Sequence, residues 1–314
     1  MTKRIKVSII GAGYTANEHL KAFKDIKEVE LCGIFSRTRE KAQKLSEIYG
    51  IKNVCNSIEE LWEKTEANIL IVTVNEPSMP SVIEESVNYN WELLVEKPPA
   101  LYVEQAETLK EIAEKKNKTI KVALNRASYS VTKFVINEIE KKDGRRVVIA
   151  QDQEDPERAT SLGRDKEVVD RWMYANSIHI IDYFRIFARG EFVKVTTYGE
   201  LFLQKPSFIE AHIEFSSGDL GVYQAFWNEP APWAITVHLP DIRYELRPLE
   251  EGKKQIRWQK PEPIPVSEWD KKFKPGFRAQ AEEMVKIVRD GNGNVPTLDD
   301  AIKTMKLIRE IYKK

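Results

Sequence analysis

The chain has 314 residues, of which 42% are hydrophobic, 31% charged and 10% aromatic. That size and mixture suit two folded domains and exclude both a disordered polyelectrolyte and a membrane-embedded chain. Lys plus Arg and Asp plus Glu each total 49, so no net charge recommends a nucleic acid partner. Cys32 and Cys55 are the only cysteines, too few for a disulfide scaffold or a thiolate zinc cage, and no metal site is expected. No apolar run reaches the ~20 residues that span a bilayer. Met1-Thr2-Lys3-Arg4 leads into a short strand-like run and then glycines, which is no signal peptide, so a cytoplasmic protein without membrane contact is expected.

Apolar, β-branched runs recur at Ile5–Ile10, Val29–Phe35, Ile69–Val74, Trp91–Val95 and Thr119–Leu124. Helix-period segments separate them, the pattern of a parallel sheet covered on both faces. Arg39–Tyr49 predicts a helix closed by Gly50, Ser57–Glu60 a capping box opening a helix through Trp62, and Val103–Lys116 another helix. After a helix near Val131–Lys141 the texture changes. Asp152–Arg164 is polar and broken by Pro156 and Gly163, which predicts a loop or flap. One long helix is then predicted from about Glu167 to Ala188. From Phe192 to Trp258 the pattern is strand-like, with hairpins Ile209–Phe215/Leu220–Trp227 around Ser216–Asp219 and Ala234–Leu239/Ile242–Leu246. Helices over Gly276–Asp290 and Thr297–Tyr312 close the chain, the second capped by Thr297 and Asp300. The expected architecture is α/β: a Rossmann dinucleotide-binding domain over 1–124, then an α+β domain over 125–314 with an open-faced, mostly antiparallel sheet. The last helices are free to pack back on the first domain.

Gly11-Ala12-Gly13-Tyr14-Thr15-Ala16 follows the first strand and opens a helix. In a dinucleotide site Gly11 permits the tight turn, Gly13 lets the backbone approach a pyrophosphate, and Ala16 allows close helix–strand packing. The helix start, with Tyr14 and Thr15, offers N–H groups to phosphate. An Asp or Glu at the end of the second strand would bond the ribose 2′-hydroxyl of NAD; this chain has Ser36-Arg37-Thr38 there. Hydroxyls and a guanidinium suit a phosphate monoester, favouring NADP over NAD. Val74 and Asn75, ending the fourth strand, are further cofactor candidates.

Glu96-Lys97-Pro98 follows the strand Trp91–Val95, which puts Lys97 on the ligand-binding edge of a parallel sheet. The glycine loop, the Ser-Arg strand tip and Glu-Lys-Pro at this spacing resemble the Gfo/Idh/MocA oxidoreductases, named for glucose–fructose oxidoreductase and inositol dehydrogenase. Asn17–Leu20, Ser177–Asp182 and Phe273–Phe277 also look familial, so the likeness runs along nearly the whole chain. The resemblance implies that Lys97 is catalytic, that Glu96 and Lys97 adjoin the cofactor, and that His179 assists. It also implies hydride transfer between a nicotinamide and a hydroxyl or keto carbon of a sugar, polyol or nucleotide sugar. A homodimer or homotetramer formed through the second domain's sheet follows from the same likeness. Arg126, Trp172, Tyr174, Asn176 and His179 are the substrate-binding candidates, a cationic and aromatic set that suits a carbohydrate.

The chain departs from the pattern in three places. Thr73–Ser78 lacks the family's Pro and His after the fourth strand, and Asn90 stands where Gly is usual. Ala175 occupies the position, one helical turn before His179, where catalytic members carry an Asp. Asp182 is the remaining carboxylate that could serve His179. The alternative implied by Ala175 is a catalytically silent dinucleotide sensor or regulatory subunit of the same fold.

Overall fold

Six parallel strands form the first sheet of the computed structural model, which describes residues 4–313; Met1–Lys3, part of the leader argument, and Lys314 lie outside them. The chain divides into two compact units. One runs to Ser128 and includes Glu268–Ala301; the other holds Tyr129–Ser267 and the residues from Ile302 onward. The first therefore extends past 124 and takes the helix Phe277–Asp290, and the closing helix Leu298–Tyr312 is divided at Ala301.

The strands of the first unit are β1 (Ile5–Ile10), β2 (Val29–Phe35), β3 (Asn53–Cys55), β4 (Ile69–Val72), β5 (Glu92–Val95) and β6 (Ile120–Val122), in the order β3-β2-β1-β4-β5-β6. This doubly wound order reverses between β1 and β4, which opens a crevice at their carboxyl ends. β3 escaped the sequence reading because three residues carry too little periodicity. Ile9, Ile71 and Leu94 are fully buried, and the helices Tyr14–Lys24 and Phe277–Asp290 lay Leu20, Phe23, Ala281, Met284 and Val285 into the same core. Gly50 closes the helix Arg39–Tyr49 in the left-handed region at φ 71°. Ser57 Oγ accepts from Glu60 N at 3.0 Å, but Glu60 reaches back to Asn56 N, so only half of the capping box forms.

Gly11 has φ +104°, and a Cβ there would lie 2.5 Å from Thr73 Oγ1 and 2.6 Å from the Thr73 carbonyl oxygen. Backbone strain and overpacking together predict that Gly11→Ala costs roughly 2–4 kcal/mol. Urea unfolding should read this as a lower midpoint at unchanged slope.

The second unit holds β7 (Val147–Glu154), β8 (Phe192–Gly199), β9 (Ser207–Phe215), β10 (Leu220–Trp227), β11 (Ala234–Leu239), β12 (Ile242–Leu246), β13 (Gly252–Ile256) and β14 (Glu262–Ile264), in the order β14-β13-β12-β11-β7-β10-β9-β8. Both expected hairpins form, and every neighbouring pair is antiparallel except β7 with β10. Two expectations are corrected. Residues 152–154 are not loop but the end of the central strand β7, and the helix Pro156–Ser161 follows. The inward positions of that strand end are Asp152 and Glu154, so its alternation is hidden among polar residues. The long helix is also not continuous: a short helix Lys166–Asp170, a wide π-turn Met173–Ser177 and the helix Ile178–Phe187 replace it.

Buried Asp219 organises one edge of this unit. Its carboxylate accepts from the backbone N–H groups of Arg146 (2.8 Å) and Arg189 (2.9 Å) and from the Arg189 guanidinium at 2.7 and 2.9 Å. Arg146 in turn donates to the carbonyls of Ile139 and Phe187, both at 3.0 Å, satisfying the ends of two helices.

Candidate functional site

In the first unit, the loops after β1, β2 and β4 enclose a cleft of about 420 Å³. That volume lies within the ~300–1,000 Å³ usual for small-molecule sites. Gly11, Gly13, Ser36, Arg37, Thr38, Val74 and Asn75, all expected at the cofactor, line it together. Arg37 Nη2 donates to Asn75 Oδ1 at 2.9 Å, joining the second-strand loop to the fourth. No carboxylate stands in Ser36–Thr38, while Lys41, one turn into the helix Arg39–Tyr49, adds a second cation to the lining. The sequence reading missed Lys41, although its spacing of four from Arg37 would have put both on one side of a helix start.

Tyr14, Thr15, Ala16, Glu96 and Lys97 lie outside that lining. Ala16 is fully buried in the core, as helix–strand packing requires. Tyr14 is exposed, with Lys274 Nζ 5.1 Å from its ring centroid and 4.8 Å from that of Phe277. The residues fit a dinucleotide. A Cβ at Gly13 would meet nothing within 4 Å, so the backbone is approachable, and no side chain caps the start of the helix Tyr14–Lys24.

Lys97 follows β5 on the same carboxyl edge of the sheet that forms the cleft. Its side chain keeps some surface, yet the surrounding protein desolvates the ammonium, and its pKa is lowered to about 8. Burial is the main cause. The Glu96 and Glu76 carboxylates oppose it, and the Arg126 and Lys274 cations reinforce it. Glu96 is held by buried His19, whose Nε2 lies 2.8 Å from Glu96 Oε1. Arg126 belongs to the first unit, in a 3₁₀ turn (Asn125–Ser128) where its Nη1 donates to Asn125 Oδ1 at 3.3 Å.

The other substrate candidates belong to the second unit. Trp172 Nε1 and Asn176 Nδ2 both donate to Glu154 Oε2, at 2.5 and 2.8 Å. Tyr174 is 2% exposed and His179 9%. Asp182 is held by Arg185 in two bonds of 2.7 and 2.8 Å, and Thr304 Oγ1 donates to it at 2.7 Å. Among the described residues, no group of three or more His, Cys, Asp and Glu could hold a metal ion. No helix among them is long and apolar enough to cross a membrane.

Residues 5–124 match the family described as "Oxidoreductase family, NAD-binding Rossmann fold", Gfo/Idh/MocA. The match covers the first domain and not the rest of the chain. A stretch of 110 residues is 29% identical to the glucose-6-phosphate 3-dehydrogenase of Bacillus subtilis (strain 168), spanning 35% of this chain and only 31% of that relative. Solved structures share the fold over the full length. UDP-N-acetylglucosamine 3-dehydrogenase from Acidithiobacillus ferrooxidans superposes with a TM-score of 0.81 at 14% identity, covering 99% of this chain and 97% of that one. The aldose-aldose oxidoreductase from Caulobacter crescentus gives 0.84 at 17%, with the same coverages of 99% and 97%. Both domains thus have the expected architecture, the first a Rossmann fold and the second built on a mostly antiparallel sheet.

Proposed function

We propose that the protein is a nicotinamide-dependent oxidoreductase that exchanges hydride with a hydroxyl-bearing carbon of a sugar, polyol or nucleotide sugar, with NADP preferred over NAD. The observation that carries this reading is Lys97, held near pKa 8 on the same sheet edge as the glycine-loop cleft. A nicotinamide bound there supplies the hydride chemistry. Lys97 gives or takes the hydroxyl proton, with His179 as its assistant on the family likeness. Relatives named for acting on glucose 6-phosphate and UDP-N-acetylglucosamine support a carbohydrate substrate. Ser36, Arg37 and Lys41 support the phosphate-bearing cofactor. The same reading includes a homodimer or homotetramer formed through the second sheet, where Tyr198 and Phe208 are exposed, and residence in the cytoplasm, a reducing compartment that suits the free thiols Cys32 and Cys55.

Equilibrium titration with NADPH and NADH, followed by energy transfer from tryptophan to the nicotinamide, tests the cofactor; a carbohydrate screen with the preferred one tests the reaction. Arg37→Ala should weaken NADPH by roughly 10–100-fold and leave NADH nearly unchanged, the size of one lost charge-assisted contact. Equal losses for both cofactors would assign Arg37 to the cleft wall alone. Binding without turnover of any carbohydrate would favour the sensor, the reading that Ala175 motivates.

A further inference from the structure

Asp152 and Glu154 lie two residues apart on the inward face of β7, and both are fully buried. Successive inward positions of a strand point the same way, so the two carboxyls face one interior. Glu154 Oε2 accepts from Trp172 Nε1 and Asn176 Nδ2, and Glu154 Oε1 accepts from Ser177 Oγ at 3.0 Å. The donors bracket the π-turn Met173–Ser177: Trp172 precedes it, and Asn176 and Ser177 end it. On the other side, Tyr223 OH donates to Asp152 Oδ2 at 2.7 Å and lies 2.7 Å from Tyr312 OH.

Among the described residues, Trp172, Asn176 and Ser177 at the turn and Tyr223 on β10 bond to the pair, with Tyr312 of the closing helix against Tyr223 and Trp227 of β10 against Tyr312. All are neutral at pH 7. Burial and then the Asp152 charge push Tyr223 well above its ordinary range, so that phenol stays protonated. Burial first, and the neighbouring Asp152 second, likewise hold Glu154 well above the usual carboxylate range. Two buried carboxylates cannot both ionise among neutral neighbours, and one shared proton turns their repulsion into a hydrogen bond.

We propose that Asp152 and Glu154 form a buried acid pair holding one proton, and that the pair is the positioning clamp of the π-turn, fixing Trp172 and Asn176. Wide turns of this kind recur at functional sites, and this one carries Tyr174 and Asn176, two of the five residues assigned to the carbohydrate, with Trp172 directly before it. Only that last link rests on the carbohydrate reading.

The test uses the full chain at pH 7. Infrared spectroscopy should show the C=O stretch of one protonated carboxyl, absent from the double variant Asp152→Asn/Glu154→Gln. Its absence from the unsubstituted protein overturns the pair, whether or not any variant folds. The indole N–H resonance of Trp172, identified through Trp172→Phe, should move in Glu154→Gln and also in Asp152→Asn, because Glu154 is the acceptor that holds the indole. No movement in Asp152→Asn overturns the clamp. With a carbohydrate substrate, Glu154→Gln should raise KM on the order of tenfold with kcat nearly unchanged. A loss of kcat at constant KM overturns the positioning role. If no carbohydrate turns over, the oxidoreductase reading fails alone, and the infrared and indole measurements still decide the pair.

Discussion

Lys97→Ala is expected to lower kcat for carbohydrate oxidation by ~10²–10⁴, the range general acid–base help provides, while NADPH affinity changes by less than about threefold. The contrast separates a proton-handling role from a structural one. Lys97 is desolvated on the sheet edge, and its pKa of about 8 splits the two directions of reaction. Oxidation needs the neutral amine to take the hydroxyl proton, so kcat/KM should rise with pH and level off above about 8. Reduction needs the ammonium to give a proton, so its rate should be flat below that pH and fall above it. Glu96→Gln removes the largest opposing charge and should move both inflections to lower pH. Lys97→Arg should rescue neither, because a guanidinium stays protonated. A Lys97→Ala enzyme that keeps its rate and its pH profile would remove Lys97 from the chemistry.

Asp219→Ala is expected to cost about 3–5 kcal/mol, since it strips four donors of a buried acceptor and leaves a guanidinium beside an emptied site. Calorimetry should show the second unit melting lower by on the order of 10 °C. Burial alone would raise the Asp219 pKa, but the Arg189 guanidinium and the two backbone N–H groups outweigh it and leave the carboxyl below its ordinary value. The stabilisation is therefore complete above the unfolded pKa, near 4, and lost as the pH falls through the lower folded value. Between pH 2 and 5 the variant should lose part of the protein's acid sensitivity. A melting shift of less than about 2 °C would mean that other contacts hold this edge.

The first sheet was legible because its strands are continuous apolar runs with a glycine loop at the first turn. Ile5–Ile10 and Val29–Phe35 form with the predicted bounds. The second sheet was half legible. Its hairpins declare themselves through turn residues such as Gly218, but the central strand β7 hides its inward positions behind Asp152 and Glu154. A buried acid is indistinguishable from a surface acid until its partners are known. Those partners, Trp172, Asn176 and Ser177, lie about twenty residues away and produce the turn that interrupts the expected long helix. At the cofactor cleft, the glycines and Ser36–Asn75 set were readable from order along the chain; Lys41 and the His19–Glu96 pair were not. Their roles depend on which loops meet, a property of topology rather than of local pattern.

The return of Glu268–Ala301 to the first unit has a consequence for biosynthesis. A ribosome that has delivered residues up to 267 has released all six strands of the first sheet, but not Phe277, Ala281, Met284 or Val285, which complete its core. The second unit waits as well, because Tyr223 finds Tyr312 only when the closing helix emerges. The nascent chain therefore carries two unfinished cores with exposed apolar faces until these closing helices have emerged, the state in which chaperones are most needed. A stop codon anywhere between Glu268 and Ala301 would damage both units at once.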